Sequence, residues 1–135
     1  MSDQNKAVVR RYVEGLNEEN LAVFDEILAP DFANHSPRLG IVNREKTVND
    51  YPLFFKAFTD CHRTIEDVIA EGDKVFLRMT VQGTHQDFVT GVSIEPTGEN
   101  ITWNSWEVFQ FNDGRMVERW TIHNFKDQVE AAARE

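Results

Sequence analysis

Hydrophobic positions recur at helical spacing over the first third of the chain and at alternating spacing over most of the rest. Val8, Val9, Tyr12, Val13 and Leu16 share one face of a helix predicted over 3–17, with Ser2 at its N-cap position. Asn20 then opens a shorter helix carrying Leu21, Phe24, Ile27 and Leu28, which Pro30 stops. Pro37 and Gly40 punctuate a loop over 31–42. A third helix is expected over 43–58, and Pro52 inside it demands either a bend or a start near Asp50.

After Cys61 the period becomes that of strands. One runs over 64–71 and turns at Glu71-Gly72-Asp73 into a second over 74–85, where Val75, Leu77, Met79 and Val81 share one face. A loop containing Pro96-Thr97-Gly98 leads to a strand over 101–111. The hairpin signal Asn112-Asp113-Gly114 then returns the chain through a strand over 115–125. The charged, Ala-rich tail over 126–135 reads as a frayed helix. Helices first and strands afterwards predict an α+β fold, a single domain over 1–135 with its core over 3–125. Both faces of the last two strands carry large apolar groups. Trp106, Val108, Trp120 and Ile122 are even-numbered; Ile101, Trp103, Phe109, Val117 and Phe125 are odd-numbered. Helices cover only one face, so a homodimer or higher homo-oligomer is expected to cover the other.

Composition narrows the class of function. With 135 residues, 41% hydrophobic and 27% charged, the chain can bury one core. Its net charge is −9, and the 14 basic residues are scattered among 23 acidic ones, which argues against a nucleic-acid partner or an anionic membrane surface. One cysteine excludes an intrachain disulfide and thiolate metal clusters. The start of the chain lacks the basic and apolar run of a signal peptide, and no apolar stretch reaches membrane-spanning length, so a cytoplasmic location is expected.

An ordered set of short motifs adds a family. Asn34-His35 comes first, then Phe55-Lys56-Ala57-Phe58-Thr59-Asp60 running into Ile65-Glu66-Asp67 and Glu71-Gly72-Asp73-Lys74-Val75. Gly83-Thr84-His85, Pro96-Thr97-Gly98 and Asp113-Gly114-Arg115 ending at Trp120 follow. Together they resemble the SnoaL-like polyketide cyclases of the nuclear-transport-factor-two-like (cystatin-like) superfamily. The resemblance implies a cone-shaped half-barrel: a strongly curved, mostly antiparallel sheet with about three N-terminal helices packed on its concave face. It also implies intramolecular aldol chemistry without metal or organic cofactor, on a small apolar or polycyclic carbonyl-containing molecule. The family's acid/base carboxylate falls four residues after the Trp of the last strand, and here that position is Asn124. An amide exchanges hydrogen bonds but cannot serve as the base.

The candidate catalytic residues are therefore His35, His85 and Asn124. His85 follows the apolar phase of its strand and has a base's ordinary pKa, or else it simply hydrogen-bonds at the strand's end. His35 matches the family's pocket-side histidine, or else it caps its loop. Asn124 is suited to steady an enolate oxygen. Even-numbered side chains are expected to line the hollow: Trp106, Val108, Gln110, Trp120 and Ile122, joined by Met79 and by Phe55 and Phe58 of the third helix. Plain core packing is the alternative for each. Glu107 is expected to pair with Arg119 or Arg78 at a subunit interface, and His123 to face that interface. No histidine pair has metal-ligand spacing, so no metal is expected. Two functions stand: a cofactor-independent cyclase, isomerase or lyase, and a non-catalytic binding module of the same fold. An epoxide hydrolase would need an Asp-Arg-Asp set, which the even-numbered face lacks.

Overall fold

The computed structural model describes residues 2–89 and 92–134. Its elements in chain order are α1 (Ser2–Asn17), α2 (Ala22–Ile27), β1 (Leu28–Ser36), β2 (Gly40–Asn43) and α3 (Arg44–Ala57). They continue with β3 (His62–Glu71), β4 (Lys74–Thr84), β5 (Asn100–Asn112), β6 (Arg115–His123) and α4 (Phe125–Ala133). The strands form one sheet in the order β2-β1-β6-β5-β4-β3, antiparallel except where β1 runs parallel to β6. The α+β arrangement matches the expectation, and the helix expected over the C-terminal tail is present as α4.

Local chemistry explains most boundaries. Asn43 caps α3 by accepting from the Lys46 amide at 2.9 Å, and Pro52 is carried inside one helix. Asp113 and Gly114 both take positive φ, as a tight hairpin turn needs. Gly83 lets α3's end lie against β4, because a Cβ there would stand 3.1 Å from the Phe58 ring. The predicted loop over 31–42 is instead β1, the turn and β2. Its polar run concealed an alternation in which Phe32 and Asn34 are buried. Irregular pairing with β6 between Leu28 and Ala33 accommodates Pro30, which has no amide to donate. The tail is docked, with Phe125 and Val129 fully buried.

The helices pack on the concave face of the sheet. Val9, Tyr12, Val13 and Leu16 of α1 meet Phe24 and the odd-numbered residues of β4 and β5, and Tyr12 sits edge-on to Phe24 and Phe109 at 5.3 Å. The register settles which side chains share that face. Val75, Leu77, Met79 and Val81 pair with Phe109, Glu107, Ser105 and Trp103; Glu107 and Ser105 pair in turn with Thr121 and His123. The concave face therefore carries odd-numbered residues in all three strands, except beyond the irregularity near the hairpin, where Met116 is the buried one, and the expected placement of even-numbered ones is reversed. Trp106 is 54% exposed and Ile122 75%, both on the convex face with Val108, Gln110 and Trp120.

Candidate functional site

The hollow is bounded by α1, α3, the 36–40 turn and the odd-numbered faces of β3 to β6, and it encloses about 100 Å³. Its wall is mixed, with Phe54, Met79, Val81 and Trp103 alongside ionised and hydroxyl groups. At its floor Glu107, 1% exposed, accepts from Arg119 Nε at 2.7 Å and from Ser105 Oγ at 2.9 Å. Arg119 Nη1 donates to Asn34 Oδ1 at 2.8 Å, and Nη2 has no partner among the described residues. Burial works most strongly against the charge on Arg119, but the charge and hydrogen bond of Glu107, together with the two neighbouring phenols, outweigh it and hold the guanidinium above its ordinary pKa.

Two phenols lie over this cluster. The Tyr12 and Tyr51 hydroxyls are 2.8 Å apart, and burial raises both pKa values, so both rings stay protonated and one O–H remains to donate elsewhere. At the mouth Asp50 of α3 accepts from Arg38 Nη2 at 3.3 Å. The Thr121 hydroxyl and Arg63 Nη1 line the hollow, buried and without a hydrogen-bond partner among the described residues. Groups buried in this state are costly in a core and commonly mark a place for a ligand.

His123 also faces the hollow rather than an outer interface. Burial first, and then the positive fields of Arg38 and Arg119, depress its pKa to about 4. Its Nδ1 accepts from the Phe125 amide at 3.4 Å, which leaves the Nε2 proton as a donor. The unfolded chain takes up this proton near the ordinary histidine value of ~6.5, so stability is expected to fall as pH drops from there to about 4. His123→Asn should flatten that part of a melting-temperature profile against pH; an unchanged slope would show that the ring is solvated.

Of the sequence-predicted residues only Met79 lines the hollow. His35 points to the convex face, stacked on Trp120 at 5.0 Å and bonded to Glu118 at 2.9 Å. Its neighbour Asn34 is the one turned inward, because alternate residues of a strand face opposite sides. His85 is fully buried beneath Phe58, with Nδ1 accepting from the Thr97 amide at 3.2 Å, and burial lowers its pKa. Asn124 precedes α4, and its Oδ1 accepts from the Asn104 amide at 2.8 Å. Phe55 and Phe58 are core residues, while Tyr51 and Phe54 supply α3's rings to the hollow. The Glu107–Arg119 pair is present but sits inside the hollow, and Arg78 pairs with Asp67. Tyr12, Asn34, Asp50, Tyr51, Arg63, Ser105 and Thr121 were unforeseen; strand register was the one signal able to find the last three.

A sequence model of the SnoaL-like polyketide cyclase family matches residues 6–131. Among solved structures, AclR from Streptomyces galilaeus, provisionally a hydroxylase, is 29% identical with a TM-score of 0.84, over 100% of this chain and 84% of that one. IdmH from Streptomyces antibioticus, provisionally a polyketide cyclase, is 26% identical with a TM-score of 0.84, over 98% and 99% of the two chains. A SnoaL-like protein from Jannaschia Sp. CCS1 shares the fold at 21% identity and a TM-score of 0.88, over 99% and 94%. No curated protein sequence matches. No helix among the described residues is long and apolar enough to cross a membrane.

Proposed function

Because the chain belongs to the SnoaL-like polyketide cyclase family, we propose that it catalyses proton transfer at carbon, as in an intramolecular aldol closure, on a small carbonyl-rich molecule held in the hollow. The observation that carries this reading is the buried Glu107–Arg119–Asn34 cluster facing the hollow. A buried ion pair is weak support for stability, and apolar residues would pack such a floor at least as well.

The two carboxylates of the hollow are held differently. Both Glu107 oxygens are engaged, so that residue fixes the orientation of Arg119. Asp50 makes one long contact with Arg38 at the mouth and is free to take the α-proton. The enolate that forms is met by donors: Arg119 Nη2, a tyrosine hydroxyl and the neutral His123. In an aldol closure the enolate carbon attacks a second carbonyl carbon of the same substrate, and the resulting alkoxide recovers the proton. A hollow of about 100 Å³ is smaller than the roughly 150 Å³ that houses a benzene ring, so a polycyclic substrate would enter only in part.

Uptake of deuterium into 2,4-pentanedione, followed by NMR, tests the reading. Exchange above the buffer rate supports catalysis; binding without exchange supports the non-catalytic module.

The convex face bears on assembly. One row crosses all six strands, through Ile41, His35, Trp120, Val108, Phe76 and Ile69. It is flanked by both signs of charge, Asp67 and Arg78 on one side, Glu71, Lys74 and Glu118 on the other. On a chain of net charge −9 such a mixed face is where two copies approach with least repulsion, so a second copy is its proposed occupant. Ile122→Glu with Trp106→Glu should give a monomeric mass in light scattering; a monomeric wild type would contradict the dimer.

A further inference from the structure

Resting on that reading of the hollow, we infer that its substrate is a small oxo-carboxylate whose anionic end is bound by Arg63. Arg63 is the second residue of β3 and is 8% exposed, with its guanidinium carbon 5.6 Å from the centre of the Phe54 ring. Asn17 grips its backbone twice, accepting from the Arg63 amide at 2.8 Å and donating to its carbonyl at 3.0 Å. The strand is therefore fixed at the point from which the side chain departs.

The charge balance of the hollow identifies the missing partner. Arg38 is matched by Asp50 and Arg119 by Glu107. The phenols stay protonated and His123 stays neutral near pH 7. Arg63 alone of the lining guanidiniums faces no carboxylate among the described residues, and its Nη1 has no hydrogen-bond partner. One positive charge in excess, in a chain that is otherwise strongly acidic, selects a monoanion. A planar guanidinium fork fits a carboxylate best. The carbonyl of the same molecule then extends toward Arg119, and the carbon between the two groups is the acidic one. The small volume limits the molecule to about the size of a short-chain oxo acid.

Acetoacetate and 2,4-pentanedione have the same number of heavy atoms and differ by a carboxylate oxygen in place of a methyl group. Titration calorimetry on the wild type should show acetoacetate binding about 10- to 100-fold tighter, the range expected for charge-assisted hydrogen bonds. Arg63→Met should remove that preference, bringing acetoacetate affinity down to that of 2,4-pentanedione measured on the same variant. Arg63→Lys, which keeps the charge but not the fork, should fall between. Equal affinities in the wild type, or a preference that survives Arg63→Met, would overturn the assignment; should Arg63→Met fail to fold, the wild-type comparison and Arg63→Lys decide. Failure of deuterium exchange would remove the catalytic reading and leave this preference standing, and the reverse also holds.

Discussion

Glu107→Gln is expected to destabilise the protein by about 3–5 kcal/mol in urea unfolding, the range for breaking a buried ion pair. The cause is the charge left behind. Arg119 is buried with Glu107 as its one carboxylate partner among the described residues, and the Asn34 amide cannot neutralise it. Glu107→Met combined with Arg119→Met should recover much of the loss, since no unpaired charge then remains. A single-mutant cost below about 1 kcal/mol is typical of exposed pairs and would mean that water reaches the floor of the hollow. The same variant should bind 2,4-pentanedione poorly, because Arg119 loses its fixed orientation.

Asp50→Asn should lower the rate of α-proton exchange by about 10²- to 10⁴-fold, the usual contribution of a general base. Its melting temperature should fall somewhat, because the Asp50 and Arg38 side chains are only 12% and 17% exposed and Arg38 loses its carboxylate, so exchange is measured well below that temperature. KM for 2,4-pentanedione should stay near the wild-type value, which separates loss of a base from loss of binding. An Asp50→Asn protein with wild-type exchange would transfer the role to another group, and Glu107 would be the next candidate.

The architecture was legible because periodicity is a strong signal. The apolar stripe of α1, the alternation of β4 and the Asn112-Asp113-Gly114 turn each point to one local structure, and all three are found. β1 was hidden because its inward residues include Asn34, and because Pro30 imitates a loop. The site was hidden by a general rule applied where it fails. Charged residues usually face water, so Glu107 and Arg119 were read as outward and the tryptophans beside them as inward. In the folded chain the charges form the floor of the hollow, and the tryptophans Trp106 and Trp120 lie on the opposite face. Functional sites are where such local rules break. The last two strands group odd with odd and even with even residues, through the irregularity between Gln110 and Phe111; what the local pattern leaves open is which of the two groups turns toward the helices.

The three tryptophan indoles report directly on which sheet face binds. Trp103 lines the hollow, whereas Trp106 and Trp120 lie on the convex face. In a titration of 15N-labelled protein with 2,4-pentanedione, the indole resonance of Trp103 should shift while those of Trp106 and Trp120 stay in place. Movement of Trp106 and Trp120 with Trp103 unmoved would contradict an odd-numbered, polar-floored hollow as the binding site.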